Sequence, residues 1–245
     1  MQQPNFARQQ TGFVSSSKAL GLLVGAIALV LISSYGVISD EAPEVSFDGL
    51  HLEDSSKVAL AYVKPDADFS VYNKFLMLDA YVAFKKNWQR DTKVAGRRVS
   101  NKDMERIKQE AAELLHETFK TELDEKGGYE FVDKADDSVL ILRPALIDLV
   151  ITAPDIPVAG RVTQYVASAG SATLFLEMYD SVSGEILARV VDRRNMQDYG
   201  HARWANSVTN RQDAQRMFRR WAQLLRTGLD ETRAEAGQPS MTPAE

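Results

Sequence analysis

Between Ala19 and Ile38 the chain runs for twenty residues without a charged side chain, and no other stretch limits its structure so sharply. The centre, Ala19 to Ile32, is fourteen consecutive apolar or glycine residues, the length of a signal-peptide apolar region. Ser33 to Ile38 bring the run to the minimum that spans a bilayer. A buried core helix fits poorly, because the run has no polar face and stands ahead of a charged segment. Two readings remain. An uncleaved transmembrane anchor over 19–38 is preferred; the alternative is a secretory signal cleaved after Gly36, where Ser34 and Gly36 supply the small residues cleavage needs.

Arg8 and Lys18 precede this run, whereas Asp40, Glu41, Glu44 and Asp48 follow it. The positive-inside bias therefore keeps residues 1–18 cytoplasmic and exports the rest. Removing residues 1–38 leaves 27 Lys+Arg against 34 Asp+Glu, so the exported part is acidic, at net −7.

Composition narrows the chemistry. With no cysteine the chain cannot form a disulfide, a thiolate zinc site, an iron–sulfur cluster, a cysteine nucleophile or a thioether-linked lipid. His51, His116 and His201 share no ligand spacing, and the position four after His116 is Lys120, so no metal site is expected. A net charge of −5 argues against a generally basic nucleic-acid binder. There is no phosphate-cradling glycine loop and no nucleophile elbow, hence no cofactor and no catalytic residue to name.

Along the exported chain, residues 39–56 read as a spacer, 57–233 as one α+β domain and 234–245 as a disordered tail. Val58 to Val63 reads as an edge strand and Phe75 to Phe84 as a core strand. Lys85 to Ser100 reads as a loop around Trp88. Ser100 and Asp103 form a helix-start signal, and Met104, Ile107, Ala111, Leu114, Leu115, Phe119 and Leu123 recur at helical spacing until Gly127 and Gly128. Tyr129 to Val132 is a short strand, and Val139 to Ile151 a long one with a bend expected at Pro144. Pro154 to Gly160 is a loop, and Arg161 to Tyr179 and Glu185 to Val191 form a hairpin through the Asp180 to Gly184 turn. After a loop from Asp192 to Thr209, Asn210 caps a final helix with Ala214, Met217, Trp221, Leu224 and Leu225 on one face.

The expected fold is a mostly antiparallel mixed sheet with two amphipathic helices packed on one face. Counting chain reversals places Trp88 at one end of the sheet and the Tyr199 to Trp204 loop at the other, with the two helices antiparallel.

Four ordered segments, LAYVKPDADFSVYNKFLMLDAYVAFKKNWQRD, SNKDMERIKQEAAELLHETF, DSVSGEILARVVDRR and WANSVTNRQDAQRMFRRWAQLLRTGLD, resemble the bacterial family known as domain of unknown function 3313. The resemblance covers Phe47 to Arg233. Members are mostly envelope lipoproteins of Gram-negative bacteria without an assigned activity, so the resemblance implies an envelope location and no catalytic residues. This chain departs from the pattern in having no lipobox cysteine, which a transmembrane anchor would replace. Together with the apolar run, the resemblance implies inner-membrane anchoring with a periplasmic domain, or a periplasmic protein after signal cleavage.

Residues 101–137 hold six Lys+Arg and twelve Asp+Glu, net −6, whereas 189–233 hold ten Arg and five acids, net +5. An acidic and a basic helix lying side by side explains this asymmetry better than a lipid or polymer site does. Glu105, Glu110, Glu113, Glu117 and Glu122 read as a solvated helix face. Tyr199, His201, Arg203 and Trp204 concentrate aromatic, imidazole and guanidinium groups in one segment and are the candidate partner-binding residues. Trp88, Gln89 and Arg90 are a weaker candidate. The expected function is a non-enzymatic, membrane-tethered envelope protein that binds another envelope protein or a polymer. The alternatives are a carboxylate-dependent envelope hydrolase and a small-ligand carrier.

Overall fold

The computed structural model describes residues 42–54, 57–94, 96–152, 154, 164–168, 170–196, 198–205, 207–241 and 243, with the backbone alone for 164–168, 198–205 and 207–209. The anchor or signal reading of 19–38 and most of the Pro154 to Gly160 loop lie outside these residues. Among the described residues no helix is long and apolar enough to cross a membrane.

The fold is α+β, with a mixed sheet and three helices among the described residues. In chain order the elements are β1 (His51–Glu53), β2 (Leu60–Val63), β3 (Lys74–Met77), β4 (Tyr81–Phe84), α1 (Trp88–Asp91), β5 (Lys93–Val94), β6 (Arg97–Arg98) and α2 (Asn101–Lys120). They continue with β7 (Glu130–Phe131), β8 (Val139–Ile151), β9 (Gln164–Ser168), β10 (Gly170–Asp180), β11 (Ile186–Asn195), β12 (Asp198–Ala205) and α3 (Ser207–Glu235).

The main sheet has the order β1-β2-β11-β10-β8-β3-β7, and β4 also pairs with β8. The pairs from β1 to β8 are antiparallel, whereas β3 and β4 run parallel to β8 and β7 runs parallel to β3. The apolar run Phe75 to Phe84 is thus two strands laid end to end along one edge of β8. Pro144, without an N–H, falls in the interval after β3 pairs through Leu142 and before β4 pairs at Ala145. The bulge lies further on, where Asp148 takes a φ of 51° and the β8–β10 register shifts.

The capping box at Ser100 forms as the spacing predicts: Asp103 N–H donates to Ser100 Oγ at 3.1 Å, and the Asp103 carboxylate accepts from the Ser100 backbone. One face of α2 then buries Leu114, Leu115 and Phe119 against Leu140, Leu142 and Leu146 of β8 and Leu174 and Leu176 of β10. Met217, Phe218 and Trp221 of α3 complete the same core.

Several expectations change. β2 lies inside the sheet because β1, in the stretch read as spacer, pairs outside it, and Leu50 is buried there. The Lys85 to Ser100 stretch contains α1 and the β5–β6 ribbon. The stretch expected as one strand over 161–179 supplies two, β9 pairing with β12 and β10 joining the main sheet, and the loop expected over 192–209 contains the end of β11, β12 and the start of α3, so Asn210 is inside a helix rather than its cap. The tail folds back through 241: Arg233 donates to Pro239 O at 3.4 Å, and Met241 packs on the core.

The topology also overturns the placement of the ends. β7 and β8 do not form a hairpin, because β3 lies between them and all three run parallel. β8 therefore ends where β4 ends, and Trp88 Nε1 donates to Ile151 O at 3.2 Å. The end of β11, which leads to β12, is at this same end, with Asn195 opposite Ser171 and Ser171 opposite Val150. The segments carrying Trp88 and Trp204 thus leave one end of the sheet. The helices are parallel, since Glu117 pairs with Arg211 at 3.1 Å and Glu122 further along pairs with Arg219 at 3.2 Å.

Candidate functional site

Parallel packing of α2 and α3 opens a cleft between their first halves. Its floor is Ile107, Leu114, Leu149, Ile151, Met196 and Phe218, and its volume is about 340 Å³. Three of these follow from local pattern: Ile107 and Leu114 repeat at helical spacing, and Leu149 returns to the helix side after the Asp148 bulge. Arg106, Glu110 and Arg211 border the cleft. Arg106 donates to Glu110 at 2.8 Å, and Arg211 donates to Glu117 at 3.1 Å. The border is therefore polar and locally balanced in charge around an apolar floor.

The candidate residues Tyr199, His201, Arg203 and Trp204 lie on β12, which pairs with β9 with Arg203 opposite Val166 and Trp204 opposite Tyr165. Met196, just before β12, and Asn210, just after it, both line the cleft. The second candidate divides: Trp88 is 6% exposed and stacks on Phe84 at 4.2 Å, so it is core, while Arg90 is exposed.

Two polar clusters escaped the sequence reading. Glu122, placed there on a solvated face, is 1% exposed and takes Lys126 at 2.6 Å and Arg219 at 3.2 Å. The signal was present, because 122 is three residues after the core Phe119 and shares its face. It clasps the two helices where α2 widens into a single π-turn over Thr121–Glu125. On the other face of the sheet, Arg189 bridges Glu177 at 2.9 Å and Asp48, and Arg143 and Tyr179 also reach Glu177. That ladder requires the register of β8, β10 and β11 and cannot be read from separate segments. Burial alone would raise the Asp48 carboxyl, but hydrogen bonds from Arg189 and Ser46 outweigh it and hold the group below its usual range. Among the described residues no group of three or more His, Asp or Glu side chains is placed to hold a metal ion.

Residues 42–225 match the model of a family described as a protein of unknown function, DUF3313. The chain belongs to the DUF3313 family. No curated relative matches the sequence. Among solved structures, this DUF3313 chain is similar to a PelC dodecamer from Paraburkholderia phytofirmans, at 9% identity over 65% of this chain and 94% of that one, with a TM-score of 0.32. A Xanthomonas campestris protein of the DUF330 family matches at 9% identity over 71% and 93%, with a TM-score of 0.37. A neuraminyllactose-binding hemagglutinin homologue from Helicobacter pylori matches at 11% over 67% and 89%, with a TM-score of 0.29.

Proposed function

We propose that this DUF3313 chain is a non-enzymatic, membrane-tethered protein of the bacterial envelope that binds another envelope protein through the cleft between α2 and α3. The observation that carries the reading is the apolar floor of about 340 Å³, a volume in the range of ligand-accepting cavities. Arg106 and Arg211 already have carboxylate partners, so a polyanion gains little from this border. A peptide segment that inserts apolar side chains and sets mixed polar groups against the border suits it better. Tyr199, His201, Arg203 and Trp204 lie on β12, in the chain between the lining residues Met196 and Asn210. The tether rests on the uncharged run 19–38.

A hydrolase finds little support here, because the cleft is lined by one carboxylate, Glu110, and that one is held by Arg106. General acid–base cleavage of a glycoside uses two. A carrier of a small apolar ligand is the second reading, favoured by the same apolar floor.

A photo-crosslinking amino acid in place of Ala111, inside the cleft, separates these readings in native membranes. The expected result is one recurrent protein adduct, absent when the probe replaces Glu113 on the exposed side of the same helix. A lipid or small-molecule adduct at Ala111 would favour the carrier. No adduct above the Glu113 background would overturn both.

A further inference from the structure

Residues 85–98 carry six Lys+Arg and one acid, net +5, in a chain whose total is −5. Lys85, Lys86, Arg90, Lys93, Arg97 and Arg98 line this stretch, and all six are exposed. Arg90 pairs with Asp91, and Arg97 acts on Asp103, but Lys85, Lys86, Lys93 and Arg98 make no ion pair among the described residues.

These charges stand on a built element. Trp88, Val94 and Val99 form a small core beneath it, and Gln89 Nε2 donates to Val99 O at 3.0 Å. In the β5–β6 ribbon the register sets Lys93 directly opposite Arg98. Like charges facing across an antiparallel pair are destabilising, and Gly96, with φ +77°, holds the turn that brings them together. The fold therefore maintains a repulsion that an external array of negative charge would relieve.

The form of the element selects among anions. Its one aromatic ring, Trp88, is buried, so it offers no platform for stacking nucleobases. The cations lie on both strands of an exposed ribbon and the turn before it, an arrangement suited to many fixed charges in a plane. We propose that the α1–β5–β6 segment docks the domain on an anionic lipid surface, an inference that rests on the membrane-held reading above for the bilayer being near. Polybasic segments of this kind gain from headgroup charge and lose it as salt screens them.

Since the chain has no cysteine, Asp91→Cys in the full chain provides a unique site for a fluorescent donor. The labelled protein is reconstituted into vesicles with a headgroup acceptor, of phosphatidylcholine alone or with phosphatidylglycerol. Energy transfer is expected to rise at least twofold with phosphatidylglycerol. It should return to the phosphatidylcholine level at high salt, or when Lys85, Lys86, Lys93 and Arg98 are all replaced by Gln in a variant whose melt matches the parent. A donor at Val182→Cys, in the turn at the other end of the sheet, should not gain in the same way. Equal transfer from Asp91→Cys in both vesicles overturns the proposal. So does a signal that single-stranded DNA or inorganic polyphosphate abolishes while lipid charge leaves it unchanged. Should 19–38 fail to hold the chain, it leaves phosphatidylcholine vesicles but still floats with anionic ones at low salt. Failure of docking instead gives a chain held in both vesicles with equal transfer.

Discussion

Arg189 on β11 faces Glu177 on β10 and donates to it twice, from Nε at 3.1 Å and from Nη2 at 2.9 Å. Asp48, from the segment before β1, takes the rest of the guanidinium. Both members of the pair are largely withdrawn from solvent, so losing Glu177 leaves the Arg189 guanidinium with Asp48 alone. Glu177→Ala should cost about 3 kcal/mol of unfolding free energy, the low end for a broken buried pair. Glu177→Gln should cost less. Urea denaturation of the two variants checks the order.

Stability should fall in acid. Asp48, Asp103 and Asp180 all sit below the ordinary value of 3.8 in the folded chain. The causes differ: Asp48 is pulled down by Arg189 and Ser46 against burial, Asp103 by the Ser100 hydroxyl, and Asp180 by the Ser183 backbone and hydroxyl. A carboxyl lowered by folding contributes stability that is complete above its unfolded value and is lost as pH falls through its folded value. Melting temperature should therefore be insensitive to these groups at neutral pH and fall below about pH 4. Asp48→Asn should flatten part of that fall.

The parts legible in the sequence were those set by local periodicity. α2 carries its start in Ser100 and Asp103, its face in Leu114, Leu115 and Phe119, and its stop in Gly127 and Gly128. The β10–β11 hairpin is announced by Asp180 to Gly184, where the Asp180 carboxylate accepts from the Ser183 backbone at 2.6 Å. Pairing was not legible. Nothing in Glu130–Phe131 says that its neighbour is β3 rather than β8, and that choice reverses every later strand and makes the helices parallel. For the site, the cleft needs the α2–α3 geometry, whereas the basic ribbon was visible as residues but not as a structured element. The β12 residues were legible as a composition, and in the chain they fall between Met196 and Asn210, which line the cleft.

Gly170→Ala should be strongly destabilising. A Cβ there would lie 1.9 Å from Val150 O, at a φ of +144° that other residues rarely adopt. The β8–β10 pairing must part at that end, with an expected loss of at least about 2 kcal/mol. Thermal melts of the variant and parent give the measurement.

Leu115→Asp and Trp221→Asp should each prevent stable folding, because both positions are buried in the core shared by the helices and the sheet. Trp221→Phe is a milder probe, removing the 2.8 Å bond from Nε1 to Asp192 while keeping most of the apolar surface. Glu113→Ala, on the exposed side of α2, should change little. Circular dichroism melts rank the four.

Residues 19–38 should keep the chain in the membrane fraction through alkaline carbonate extraction, since an uncharged run of twenty residues meets the spanning minimum. A soluble periplasmic form with a new N-terminus near Val37 would contradict the anchor.

Ala214 lines the cleft from α3 and offers the most direct measurement of whether that cleft is where a partner enters. With the photo-crosslinker at Ala111, protein adduct yield is compared between the parent and Ala214→Phe, which places a ring in the cavity. Ala214→Phe is expected to melt as the parent does and to lose the adduct. An adduct of undiminished yield on a folded Ala214→Phe chain would contradict it.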